Sequence, residues 1–181
     1  MRGGAAICFS MSAAPELGSL VRFADKPLFS VTPRFYYNAG HPVTAKSVDA
    51  LIRGMRVGIV HGYEYPPFLA ALAQRGIVLE SARSDVANLR KLAAQRVDIA
   101  LVMTDEMRSE ELIERQAGVG KIGFAFASAP QASFIGFSAA HPDGDAQRRS
   151  FNARFKTISE NGTSQAIQAK WQLRCARVCA E

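Results

Sequence analysis

The chain has 181 residues, 48% hydrophobic content and a formal net charge of +6. That length holds one large domain or two small ones with an ample core, which excludes a disordered chain, and no apolar run approaches the roughly 20 residues that span a bilayer. The arginines come singly or in pairs (Arg83, Arg90, Arg96, Arg148, Arg149, Arg154), which fits solvated helix faces better than a phosphate track; with no nucleic-acid motif present, no nucleic-acid partner is expected.

The N-terminus, Met1 to Ser10, carries a charge and a short apolar run, too brief for the apolar core of a signal peptide. Ala5 to Met11 reads instead as a buried strand that starts abruptly, with Cys8 a buried thiol inside it. A loop through Pro15 and Gly18 leads to a short apolar piece, Leu20 to Phe23. Leu28 to Tyr37 alternates and is rich in β-formers, so it is a second strand. Pro33 interrupts it and predicts an edge or a crossover there.

After the linker Asn38 to Val43, Ser47 is placed to cap a short helix that carries Val48, Leu51 and Ile52 and stops at Gly54. The next stretch organises the chain. Val57, Ile59 and Val60 form a β-branched run from Met55 to Val60, Gly62 supplies a tight turn, and Pro67 starts a helix running to Arg75. A buried strand followed by a helix N-terminus aims free amides at whatever sits above the strand, the usual ligand crevice of an open α/β sheet.

Ile77 to Glu80 is a short strand. Ser84 caps a helix in which Val86, Leu89, Leu92 and Ala93 keep helical spacing. Val97 to Met103 is a further strand, and Thr104 or Asp105 caps a polar helix to Arg115. Strands Lys121 to Ala127 and Ala132 to Ala139 follow, and then two helices, Asp145 to Glu160 with Phe151, Phe155 and Ile158 on one face, and Ser164 onward with Ile167 and Trp171. Strands alternating with helices over short connections imply parallel strands with right-handed crossovers. Cys175 and Cys179 share a face if the tail is helical, at a spacing ill suited to a disulfide and without the further ligands a zinc site needs. No metal or cofactor is expected, and the role of these two cysteines stays open.

The order of elements resembles the solute-binding proteins of amino-acid ABC importers, family 3 with the type II periplasmic-binding fold. The resemblance is carried by Ser47-Val-Asp-Ala-Leu-Ile-Arg-Gly-Met-Arg-Val-Gly-Ile-Val-His-Gly62, Asn88-Leu-Arg-Lys-Leu-Ala-Ala-Gln-Arg-Val-Asp98, Phe151-Asn152, Asn161-Gly-Thr163 and Ile167-Gln-Ala-Lys-Trp171. It implies an α/β fold with one complete lobe around a mostly parallel sheet (37–138), a remnant of the first lobe and a hinge strand (1–36), and C-terminal helices returning to that first lobe (139–181). The first lobe's opening units are missing by this comparison. A fragment, a mis-started gene product, or a partner supplying the rest would each explain that, and unpaired first-lobe strands predict a homodimer.

In that family the loop after the strand matching Met55 to Val60 holds the ligand's carboxylate through glycine and hydroxyl residues. Here the loop is Gly62-Tyr63-Glu64-Tyr65, in which Glu64 repels an anion and Tyr63 and Tyr65 offer stacking faces and hydroxyls. Equally, the tyrosines can pack under Pro66-Pro67 while Glu64 favours the helix N-terminus. Ser10, Ser12 and Ala14-Pro15-Glu16 match the first-lobe pattern, but Leu17 stands where the family's carboxylate-pairing arginine is expected. Met103 occupies the place of an ammonium-accepting acid, followed by Thr104 and Asp105, the latter a helix cap or a ligand contact. Asp98 reads as structural. These departures point away from a free amino acid held by paired charges and toward a less charged or aromatic ligand.

The implied function is a non-catalytic, extracytoplasmic solute-binding module of an ABC-type importer, periplasmic by resemblance although no signal peptide is present in the chain. A small molecule would be clamped between the lobes, and transporter subunits in the membrane would be its partners. Two alternatives stand beside it: a dehydratase-like enzyme on the same scaffold, for which Glu64 is the one placed carboxylate, and a sensor or remnant domain that binds no solute.

Overall fold

The computed structural model describes residues 6–13, 17–105, 110–120 and 122–178, with side chains described as far as Trp171 in the last helix. Eight strands and five helices follow one another as β1 (Ile7–Ser12), β2 (Val21–Phe23), β3 (Phe29–Asn38), β4 (Arg56–Val60), α1 (Phe68–Gln74), β5 (Val78–Ala82), α2 (Asp85–Ala93), β6 (Ile99–Thr104), α3 (Glu110–Ala117), β7 (Ile122–Ala127), β8 (Gln131–Ser138), α4 (Gly144–Glu160) and α5 (Thr163–Val178). The fold is α/β, as expected. The chain divides into two compact units and passes between them at Val31–Thr32, at Pro130–Gln131 and, within α5, at Cys175–Ala176.

The first unit is built on the described residues up to Val31 with Gln131–Cys175. Its central strand is β8. Ile7 of β1 and Arg22 of β2 are both in register with Phe137, so the two strands flank β8 on opposite sides, and the start of β3 follows β2 along the same side. Gly136 makes this possible: a Cβ there would lie 2.5 Å from Met11 Sδ and 2.6 Å from Val21 Cγ1. Phe137, Ile135 and Ala24 form a small core against which Leu28 and Phe151 pack. The ring of Phe151 lies 5.8 Å from Phe137 and stacks on Phe155 at 5.3 Å, which seats α4 on the sheet through the apolar face read from its sequence.

The second unit is built on Thr32–Pro130. Its strands lie in the order β7-β3-β6-β4-β5. The inner run β6-β4-β5 is parallel, and β3 is antiparallel to both β6 and β7. Every residue of β6 is buried, the reading expected of a strand covered on both faces. Leu89 and Leu92 of α2 pack with Tyr36, Val97, Val102 and Ile113 into one core cluster. On β3, the ring of Phe35 stacks on Phe126 at 4.4 Å and meets Phe68 of α1 at 6.0 Å.

Three expectations need correction. Residues 48–52 form turns, not a helix: the Ala50 and Leu51 amides bond only to the residue three back, at Ser47 and Val48, and one such turn before Gly54 is too short to propagate. Cys8 is half-buried on a strand whose outward neighbours Ile7 and Phe9 are exposed, not enclosed in a core. Pro33 does not interrupt β3, although the crossover expected there is present: it lies near the point where β3 exchanges β8 for β6 and β7, and its carbonyl accepts from Ser128 N–H. The two compact units divide at 31/32 and 130/131, a few residues before the sequence boundaries at 36/37 and 138/139. The strand partners of β8 are β1, β2 and the first residues of β3, and the Ala24 and Leu28 amides between β2 and β3 donate to its Ile135 and Ser133 carbonyls.

Candidate functional site

The loop from the end of β4 to α1 is fixed by its own tyrosines. Gly62 adopts φ +82°, the left-handed region that glycine enters without strain, and it turns the chain just past the sheet. The Tyr65 side chain folds back so that its hydroxyl accepts a 2.7 Å hydrogen bond from the Val60 N–H. Tyr63 reaches sideways, and its hydroxyl donates to Asp85 Oδ2 at 2.9 Å. The two rings stand 6.2 Å apart, tilted by 39°. Burial pushes the Tyr65 phenol up to about 12, opposed by the Val60 hydrogen bond and reinforced by Asp85 and Tyr63.

This arrangement occupies part of the anion cradle that a strand-turn-helix suggests in general. The Val60 amide is taken by Tyr65, and the amides of His61, Tyr63 and Leu69 bond to Ala82, Val60 and Pro66 carbonyls. Pro66 and Pro67 have no N–H to offer. Glu64 is exposed at the tip. What the loop presents is aromatic surface and one carboxylate.

Asp85 was not singled out in the sequence. It is the first residue of α2 and only 1% exposed, and Ser84 caps that helix by accepting from the Ala87 N–H at 3.1 Å. An acid directly after a serine cap was the available signal, since a helix N-terminus favours a negative charge. Here that charge also anchors Tyr63, and so couples the loop to α2.

The remaining candidates are dispersed. Met103 and Thr104 are buried at the end of β6, and Thr104 Oγ1 donates to the Thr32 carbonyl at 3.1 Å, which ties β6 to the start of the unit. Asp105 is half-buried just beyond the strand; the residues between it and α3, where its capping role was expected, lie outside the described residues. Ser10 and Ser12 belong to the first unit. Ser10 takes φ +57° and its hydroxyl sits 3.2 Å from that of Ser133, while Ser12 is half-buried and in register with Ser133. Ala14-Pro15-Glu16 and Cys179, and the side chain of Cys175, lie outside the described residues.

Two motif residues prove to be pins of the scaffold. Asp98 accepts from the Arg56 backbone amide at 2.7 Å and from its guanidinium at 2.9 Å; partial burial raises its carboxyl, but the Arg56 hydrogen bonds and charge outweigh this and hold it below the usual range. Asn88, fully buried, donates to the Gly58 and Leu101 carbonyls at 2.9 and 3.0 Å and so links α2 to β4 and β6.

No family model and no curated protein matches this chain. Solved structures do match. A histidine kinase sensor domain with similarity to periplasmic binding proteins aligns over 92% of this chain and 69% of its own, with a TM-score of 0.71 and 20% identity. The chain has the periplasmic-binding-protein fold. An ancestral arginine-binding protein bound to arginine aligns over 89% of this chain and 68% of its own, with a TM-score of 0.68 and 17% identity. An amino acid ABC transporter substrate-binding protein from Streptococcus pneumoniae, bound to L-arginine, aligns over 92% and 67%, with a TM-score of 0.67 and 12% identity. At such identities the likeness concerns the fold, and the chain spans about two thirds of each of these periplasmic-binding-type chains.

Proposed function

We propose that the chain is a non-catalytic solute-binding module that works outside the cytoplasm with membrane transporter subunits, and that its ligand is a small molecule gripped between two lobes. The strand passages at Val31–Thr32 and Pro130–Gln131 are the hinge in this reading, since hinge closure needs only a few residues that absorb the dihedral change. The ligand-binding residues are Gly62, Tyr63, Glu64 and Tyr65, with Asp105 beyond β6 and Ser10 and Ser12 on the first unit; Met103 and Thr104 back them from inside the sheet.

The observation that carries the reading is the anchored tyrosine pair. Both hydroxyls are committed to the protein, at Val60 and Asp85, so the rings are held rigid and their faces become the recognition surface. Rigid aromatic faces suit a ligand with a planar or apolar body, and the exposed Glu64 carboxylate at the loop tip disfavours an anion. Calorimetric titration with aromatic acids and amino acids tests this. Tyr63→Phe keeps the ring and should bind within a few-fold of the original, whereas Tyr63→Ala should lose roughly tenfold or more, given about 1 kcal/mol or more for an aromatic contact beyond its buried area. Equal binding by both variants would remove the loop from the site.

Self-association through β1 is the second part of the reading. That strand pairs with β8 alone among the described strands, and Ile7 and Phe9 are 50% and 68% exposed. An apolar strand edge of this kind invites pairing with another copy.

A further inference from the structure

Three of the arginines that look scattered in the sequence, Arg83, Arg90 and Arg96, gather along one groove of the second unit. A groove of about 720 Å³ runs along the outer side of α2, with Arg83 before the helix, Arg90 and Lys91 in its last turn and Arg96 just past its end. Its lining also includes the small apolar side chains of Ala87 and Ala94. The charge is mostly uncompensated. Lys91 pairs with Glu80 at 3.1 Å, but the Arg90 guanidinium donates to a neutral partner, the Ala117 carbonyl, at 3.0 Å. Arg83 and Arg96 form no ion pair among the described residues.

We infer that this groove docks an acidic, extended segment of a partner protein. The spacing of the cations decides the occupant. They reach from before the cap to past the end of a helix of nine residues, which alone is roughly 14 Å at 1.5 Å per residue, so a single phosphate or carboxylate meets only one or two of them. A chain with regularly spaced carboxylates meets the three arginines, Lys91 being paired with Glu80, and arginine forks pair with carboxylates bidentately. The lining offers no aromatic ring on which a nucleic-acid base could stack, whereas small alanine side chains accept the apolar residues of a peptide. The inference is independent of the solute-binding reading, because the groove uses none of the proposed ligand residues.

The test is fluorescence anisotropy with a labelled peptide of alternating glutamate and alanine. About twelve residues suffice, since an extended chain covers about 3.3 Å per residue. The original protein should bind it saturably and more weakly as salt rises. Arg83→Glu with Arg96→Glu should weaken binding roughly tenfold or more with an unchanged melting temperature, because neither side chain makes an ion pair that the fold needs. Arg149→Glu with Arg154→Glu changes the net charge equally on α4 and should bind like the original. Undiminished binding by the first pair, equal loss in the second pair, no saturable binding, or tighter binding of an equally charged single-stranded oligonucleotide would each overturn the inference.

Discussion

Tyr65 shows how one side chain decides what a loop can do. By accepting from the Val60 amide it closes the strand end and leaves the loop with aromatic faces. Tyr65→Phe should therefore strand a buried N–H and cost about 1–3 kcal/mol in denaturant unfolding. Burial of the same side chain has a pH signature. It raises the folded-state pKa to about 12, against the opposing Val60 hydrogen bond and above the ordinary value of about 10, so the stability that rests on a neutral Tyr65 is fully present below about pH 10 and is lost as pH rises toward 12. The original protein should lose stability across that window more steeply than Tyr65→Phe. Asp98 works in the opposite direction: its carboxyl is held low, so what it contributes is present above about pH 3.9 and is lost as pH falls below that. Asp98→Asn should melt below the original at pH 7 and converge with it in acid.

At the scale of elements, Asn88 and Gly58 act as one joint. A Cβ on Gly58 would lie 2.0 Å from Asn88 Oδ1, so α2 sits on β4 at a distance that only glycine allows. Gly58→Ala and Asn88→Ala should each destabilise by roughly 1–3 kcal/mol. Their combination should cost less than the sum, because removal of the amide makes room for the methyl group; strict additivity in the double-mutant cycle would break the joint. For the β1 edge, the proposed self-association should appear as concentration-dependent light scattering that Phe9→Lys suppresses. Elements with local signals were legible in the sequence: the Ser84 cap of α2, the β-branched run of β4 and the Phe151–Phe155 face of α4. Residues 48–52 misled because Ser47 makes a cap-like bond to the Ala50 amide whether or not a helix follows. The partners of β8 were hidden because Phe137 pairs with residues more than a hundred positions away, and no local pattern encodes that. Arg83 and Arg90 are seven apart and Arg96 six further on; that near-helical spacing was the overlooked sign of the groove.

At the scale of the whole molecule, the order of elements carried the fold, and the loop chemistry carried the departures from it. Gly62 to Tyr65 keep the strand-end position of the proposed ligand loop, while the use of the Tyr63 hydroxyl depends on Asp85, whose role appears only when α2 is brought beside the end of β4. The central claim is that the protein binds a small solute and leaves it unchanged. A thermal-shift screen against amino acids, aromatic acids and short peptides, with the ligand recovered and identified afterwards, tests it most directly. The account predicts that at least one aromatic or weakly charged compound raises the melting temperature, corresponding to about 2.7 kcal/mol at a hundredfold excess over its dissociation constant, and is recovered intact. Silence across the panel, or recovery of a chemically altered product, would contradict it.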